Sequence, residues 1–243
     1  MAIISKYDTG ADFEELYIGI RGKENRLYSD EEVLLLPDID RNHPHYTEWE
    51  LRKESYRRLK RHLEKKAKAL RILEPGCGNG WLSHRLAEMP LNKVTGLEIN
   101  QTEWLQAKRV FNHISNLEFI HGDMNDPGLE NEKFDIVLFA SCIQYFSSLK
   151  DIIHRGLQIL TQNGEIHILD SHFYKSEELL AAKERTAGYF IRLGFPEMTE
   201  HYFHHRWDEL SSFRYRLLYK PDFVQKHFFH HQNPFPWICI KKQ

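Results

Sequence analysis

The 243-residue chain has no apolar run long enough to cross a bilayer. Its opening, MAIISKYDTGADFEE, turns acidic at once and lacks the apolar stretch of a signal peptide. Cysteine is scarce. Cys77, Cys142 and Cys239 lie far apart and are odd in number, which excludes a disulfide framework and suits a reducing compartment. Net charge is only -2 with neutral histidines, so the whole molecule has no electrostatic bias toward nucleic acid or a membrane. The expectation left by these absences is a cytoplasmic protein with no membrane or nucleic-acid partner. What is present, 41% hydrophobic and 28% charged residues, is the balance of a chain that packs a core. The length suits one domain with an extension or two small ones.

The extension is expected at the start. Residues 1–67 read as an arm or lid ending in a helix, and residues 68–243 as the main domain, with 174–235 inserted in it. From about Thr47 to Ala69, Trp49, Tyr56, Leu59, Leu63 and Leu70 recur at helical spacing and predict a buried stripe. The other face carries Arg52, Lys53, Arg57, Arg58, Lys60, Arg61, Lys65 and Lys66. A solvated face is the expectation there, with an anionic partner as the alternative.

From Ala69 strands and helices alternate. Strands are expected at 71–76, 93–99, 116–123, 134–141 and 165–173. Helices are expected at 81–89, at 102–113 with Thr102 as N-cap, and at 148–160 followed by a turn at Asn163-Gly164. The apolar run 134–141 fits the centre of a parallel sheet. A further helix is expected over 176–193, stopped by Gly194, and a short one over 207–213. The segments 215–220 and 236–242 complete the set of strands. This alternation predicts an α/β fold with a doubly wound sheet and helices on both faces.

The segment with the clearest chemistry is Glu74-Pro75-Gly76-Cys77-Gly78-Asn79-Gly80, between a strand and a helix. Glycines let a backbone turn sharply and approach a ligand closely. The spacing is G-x-G-x-G, tighter than the G-x-G-x-x-G of dinucleotide sites. Glu74 ends the preceding strand, where its charge repels a pyrophosphate and attracts an ammonium. Glu98 ends the next strand, where a carboxylate accepts both hydroxyl protons of a ribose. Asp123 ends the third, placed to accept from an adenine amino group. The set describes a site for an adenosine with a zwitterionic tail and no phosphate, which S-adenosylmethionine (SAM) fits.

ILEPGCGNG (72–80) resembles motif I of the class I SAM-dependent methyltransferases. GLEIN (96–100), HGDM (121–124), FDIVLFASCIQYF (134–146) and LTQNGEIHIL (160–169) resemble its later motifs in order. The resemblance covers roughly residues 68–174 and implies a mostly parallel, seven-stranded sheet, with Pro236–Lys242 as its closing antiparallel strand. It implies a cofactor-binding set of Glu74, Gly76, Cys77, Gly78, Gly80, Glu98, Ile99, Asp123, Met124 and Ser141. In that set the motif I residues cradle the methionine end and Glu98 holds the ribose. Ile99 and Met124 flank the adenine, and Ser141 lies beside the sulfonium. Where the family usually has Pro-Gly-Gly before the fifth strand, this chain has Gln162-Asn163-Gly164. The implied reaction moves the methyl group of SAM to an oxygen or nitrogen and leaves S-adenosylhomocysteine (SAH).

The acceptor is not written in the motifs. The Pro-Pro-aromatic turn of enzymes that methylate exocyclic amines of nucleic acid is absent after the fourth strand, as is the Pro-Cys of cytosine C5 enzymes. Both absences point to a small molecule. Strand-end loops face the ligand in this fold, so Gln144, Tyr145, Phe146, Ser171, His172 and Tyr174 are acceptor-side candidates, with His172 the expected base if one is needed. His204 and His205 join Tyr145 and Tyr174 as pocket candidates. The runs HYFHH (201–205) and HFFHH (227–231) present histidines that could line a pocket, pack, or bind a metal. Neither run holds an acidic or Cys ligand, and no metal is assigned. Cys77 and Cys142 are expected to be buried packing residues. Aromatic and histidine residues of the arm, Tyr28, His43, His45, Tyr46 and Trp49, suggest a lid over the cofactor. Two rivals stand: a SAM-binding sensor or partner subunit without catalysis, and an NAD(P)-dependent dehydrogenase. The second lacks a Tyr-x-x-x-Lys downstream of the glycines. Oligomeric state is not legible.

Overall fold

The computed structural model describes residues 10–221 and 233–242. The histidines of the second run, His227, His230 and His231, lie outside the described residues. The chain begins with helices α1 (Gly10–Lys23), α2 (Asp30–Leu35) and α3 (Tyr46–Glu64). Then follow β1 (Arg71–Pro75), α4 (Trp81–Ala87), β2 (Lys93–Glu98), α5 (Gln101–Phe111), β3 (Leu117–His121) and β4 (Phe134–Ala140). The last elements are α6 (Leu149–Ile159), β5 (Leu160–Leu169), α7 (Leu179–Leu193), β6 (Tyr215–Tyr219) and β7 (Trp237–Lys241). No helix among the described residues is long and apolar enough to cross a membrane.

Among the described residues seven strands form one sheet in the order β3-β2-β1-β4-β5-β7-β6. β1 to β5 run parallel, and β7 lies antiparallel between β5 and β6. Successive side chains of a strand point to opposite faces, so each central strand feeds two cores. Leu73, Val137, Phe139 and Ile166 pack on one side with Leu149 and Ile153 of α6. Ile72, Ile136 and Leu138 pack on the other with Leu59, Leu63 and Leu86. A third, small cluster of Ile20, Phe190 and Met198 ties α1 to α7. Strand order reverses between β1 and β4, which opens a crevice at their carboxyl ends.

Several boundaries differ from expectation for local reasons. Asn100, not Thr102, caps α5: its side chain accepts from the Glu103 amide at 3.0 Å. The Thr102 amide and hydroxyl both donate to Glu14 of α1, at 3.0 and 3.2 Å, which fastens the arm to the sheet domain. β5 starts at Leu160 instead of after Gly164, because Leu160 already pairs with Phe134 while Glu165 pairs with Ile136. The Gln162-Asn163-Gly164 turn survives as an irregularity inside that strand. β5 stops at Leu169 and not 173, since Asp170 adopts φ 51° and turns the chain. α3 ends at Glu64, and Ala67 at φ 48° redirects the backbone. Residues 207–213 contribute only a 3-10 turn, Trp207–Leu210.

The basic face of α3 is also less solvated than expected. The Arg58 guanidinium lies 3.8 Å from the Tyr219 ring centroid, Lys66 reaches Glu165 at 2.7 Å, and Arg52 reaches Glu48 at 3.0 Å. α3 is packed along its length between the sheet and the arm, and its long cations follow the acids it meets.

Candidate active site

The glycine loop is built for close approach. Gly76 and Gly80 sit at φ 67° and 79°, where L side chains are strained. A Cβ on Gly76 would stand 2.7 Å from Cβ of Cys142, and one on Gly80 2.6 Å from the Phe119 ring. The loop thus presses against the start of the post-β4 segment, where the Cys142 thiol donates to the Pro75 carbonyl at 3.1 Å. Cys77, Cys142 and Cys239 are all buried free thiols, as a packing role requires. The Gly76 and Cys77 amides both bond the Leu97 carbonyl, at 2.7 and 3.2 Å.

Acids surround the loop. Glu98 accepts from the Gly78 and Asn100 amides, both at 2.8 Å. Burial first, and then the neighbouring Glu103, push its carboxyl up to about 7, against those hydrogen bonds. Glu74 accepts from the Ser83 hydroxyl at 2.5 Å, and burial pushes it up to about 8. It therefore anchors α4 to the end of β1, a bond the sequence does not reveal. Asp123 folds back on itself through the Asn125 amide at 2.7 Å. Met124 is buried, and its carbonyl accepts from Arg155 at 2.7 Å. Ile99 is 45% exposed, a value that leaves its side chain open to a ligand.

Two cavities meet here. The first, about 420 Å³, is lined by the glycine loop, Glu98, Ile99, Asp123, Met124 and Ser141, and so gathers the whole expected cofactor set except Gly80. Gly80 lies just behind it, against Phe119 and Ala107. The arm forms the opposite wall with Phe13, Tyr17, Tyr28 and Trp49. The second cavity, about 520 Å³, lies between α1, α3, α7 and the loop after β5, with His172 and Tyr174 on its wall. Ser141, Tyr145 and Asp170 border both.

His172 is exposed, with its ring 4.6 Å from that of Phe235. His204 and His205 line neither cavity. His204 bonds the Thr186 hydroxyl at 2.8 Å behind Tyr174 and Tyr202, while His205 is buried against the Ile143 carbonyl and Glu209. Of the arm residues, Tyr28 and Trp49 reach the cavity, joined by a 2.8 Å hydrogen bond from the indole to the phenol. His43 and His45 do not: the His43 ring lies tilted beside that of Tyr28, and His45 bonds the Glu24 carbonyl. Tyr46 is on neither wall.

Sequence reasoning missed several residues. Asp170 accepts from Ser55 at 2.5 Å and Asn233 at 3.1 Å, and burial raises its carboxyl. An acid at a strand's carboxyl end was the available signal, applied above to β1, β2 and β3 but not to β5. Arg21, Arg26, Arg52 and Glu48 also border both cavities, and no motif marks them. Among the described residues the group that could hold a metal is His62, Glu165 and His167, away from both cavities. Its carboxylate already carries two ammonium groups, Lys66 at 2.7 Å and Lys241 at 3.0 Å.

Residues 72–164 match a family model described as a methyltransferase domain. Over 96 residues the chain is 32% identical to a malonyl-acyl-carrier protein O-methyltransferase of Acetivibrio thermocellus, covering 39% of this chain and 33% of that protein. The match thus spans only a third of that relative's length. The fold is similar to that of magnesium protoporphyrin IX methyltransferase from Synechocystis, solved with SAH (TM-score 0.58, 13% identity, 97% and 96% of the two chains). It is equally similar to geranyl diphosphate C-methyltransferase from Streptomyces coelicolor (TM-score 0.58, 12% identity, all of both chains). Residues 72–164 thus match a methyltransferase-domain family model, and the sheet around them has the fold of solved SAM-dependent methyltransferases.

Proposed function

We propose that the protein transfers the methyl group of SAM to a small molecule, with the cofactor in the 420 Å³ cavity and the acceptor in the 520 Å³ cavity. The observation that carries this reading is the shared border at Ser141, Tyr145 and Asp170, which lets ligands in the two cavities touch. The first cavity fits SAM in its donor set as well as its size. Glu98 offers carboxylate oxygens to ribose hydroxyls, Asp123 an acceptor to an adenine amine, and Glu103 with ionised Glu98 a negative field to a cationic tail, while Glu74, raised to about 8, faces the cavity mainly as a neutral hydrogen-bonding carboxyl below that pH. Arg21 stands opposite for a tail carboxylate. Bound SAM supplies a methyl group on a good leaving group.

The chain's own task is then to align the acceptor and keep water away, which is catalysis by proximity. Among the described residues, the arm gives Tyr17 and Ile20, and the 174–235 segment gives Phe190, Tyr202 and Phe235, to the acceptor cavity, where they wall off solvent. His172 is placed to take a proton where the acceptor must lose one, and Asp170 stands at the junction itself. The acceptor atom is left open, since the similar structures include a C-methyltransferase.

The test is turnover of methyl-labelled SAM with fractionated small metabolites. Formation of SAH that depends on one fraction, lowered by His172→Ala or Asp170→Asn in kcat more than in cofactor affinity, is expected. Saturable binding with no turnover across all fractions would favour the sensor reading instead.

A further inference from the structure

The second cavity has an unbalanced lining. Four guanidinium groups border it: Arg21, Arg26, Arg52 and Arg185. Two carboxylates there serve three of them. Glu48 takes Arg26 at 2.5 Å and Arg52 at 3.0 Å, while Glu24 takes Arg26 at 3.3 Å and Arg21 at 3.7 Å. The third acid, Asp170, is held by the neutral donors Ser55 and Asn233 rather than by an arginine. Arg185 forms no ion pair among the described residues. Arg185 stands exposed at the rim of the cavity, so the lining carries one guanidinium more than its acids pair, and an anion entering there meets a planar donor that nothing else holds.

Beside the polar Ser141, Gln144, Ser171, His172 and Thr186, much of the remaining lining is apolar or aromatic. Phe190, Tyr202 and Phe235 face the same space, with Met198 at its floor. Tyrosine and phenylalanine rings give flat contact area, and arginine gives planar, paired donors for a carboxylate. A volume of about 520 Å³ is that of a site for one small organic molecule.

We propose that the methyl acceptor is a small organic acid, its carboxylate paired with the Arg52 and Arg185 guanidinium groups of the second cavity and its apolar body laid against Phe190, Tyr202 and Phe235. This rests on the reading that the first cavity holds SAM. The arginine fork also sets orientation: a carboxylate fixed on the α3–α7 side directs the far end of the molecule to the junction at Ser141 and Asp170. Arg185 and Arg52 come from different helices, so each contributes separately to the selection.

The experiment uses the full chain saturated with SAH. A panel of hydroxybenzoates, phenylpropionates and indole acetates is titrated, each acid beside its primary amide, by calorimetry and ligand-observed NMR. At least one acid is expected to bind about tenfold or more tightly than its amide, the difference a charge-assisted bond supplies. Arg185→Gln and Arg52→Gln should each pull that ratio toward one while SAH affinity in Arg185→Gln stays unchanged. No binding by any acid, equal binding of acids and amides, or a ratio untouched by both variants would overturn the proposal. Failure of the underlying reading looks different: SAH itself would give no saturable heat, and the inference would go with it.

Discussion

Glu98→Gln is the change whose effect follows most directly from the geometry. Both oxygens of Glu98 accept backbone amides at 2.8 Å, from Gly78 and Asn100. An amide side chain keeps one acceptor and turns an NH2 toward one of those N–H groups. In the proposed cofactor complex it would also lose charge-assisted bonds to ribose hydroxyls, worth about 1.5–3 kcal/mol each. Losing one such bond raises the Kd for SAH about tenfold to a hundredfold. The pH dependence is a second signature. Burial and Glu103 hold the Glu98 carboxyl at about 7 in the free protein, and ribose hydroxyls favour the ionised form. Binding therefore releases a proton below that pH, and affinity falls about fivefold, or ~1 kcal/mol, from pH 7 to pH 6. Above pH 8 it levels off. Calorimetry with SAH from pH 5.5 to 8.5, on wild type and variant, reads both effects. A flat wild-type profile, or a Glu98→Gln protein within twofold of wild type and with the same inflection, would refute the reasoning.

Other consequences follow from the same contacts. Gly80→Ala places a Cβ 2.6 Å from the Phe119 ring at φ 79°, and should cost about 3 kcal/mol in urea unfolding through combined strain and overpacking. An unchanged midpoint would show that the loop relaxes freely. Glu74 has the opposite sign: its folded carboxyl stands at about 8 against an ordinary 4.5, so the unfolded chain binds fewer protons and stability falls across that window. Glu74→Gln should therefore gain about 4 kcal/mol on wild type at pH 8 and under ~1 kcal/mol at pH 5, read as paired melts at the two pH values. Glu165 is buried, which alone would raise its carboxyl, yet hydrogen bonds from His167, His62, Lys66 and Lys241 hold it far below the usual range. Its contribution is complete above the unfolded value near 4.5 and persists into strong acid. Glu165→Gln should cost about 3 kcal/mol at pH 7, and a loss under 0.5 kcal/mol would contradict that role.

Much of the frame was legible because it rests on short-range signals. The apolar strands 71–76 and 134–141, the glycine spacing at 76–80 and the acids ending three strands are local patterns, and all reappear at the carboxyl edge of the sheet. What escaped depends on partners far apart in sequence. Arg52 reads as one cation of a solvated helix face until Glu48 and the arm close over it. Arg26 and Glu48 are separated by 22 positions, and Asp170 meets Ser55 across 115. Thr102 and Asn100 are both good caps on composition, and docking of Glu14 decides between them. The histidines and interleaved aromatics of 201–205 suggest pocket lining, whereas the structure gives the His204 and His205 rings to Thr186, Ile143 and Glu209.

Equilibrium dialysis with labelled SAM, competed separately by SAH and NADH, tests the central claim most directly. Saturable binding near one equivalent per chain, displaced by SAH and indifferent to NADH, is the predicted result. Displacement by NADH, or no uptake of SAM by folded protein, would contradict it.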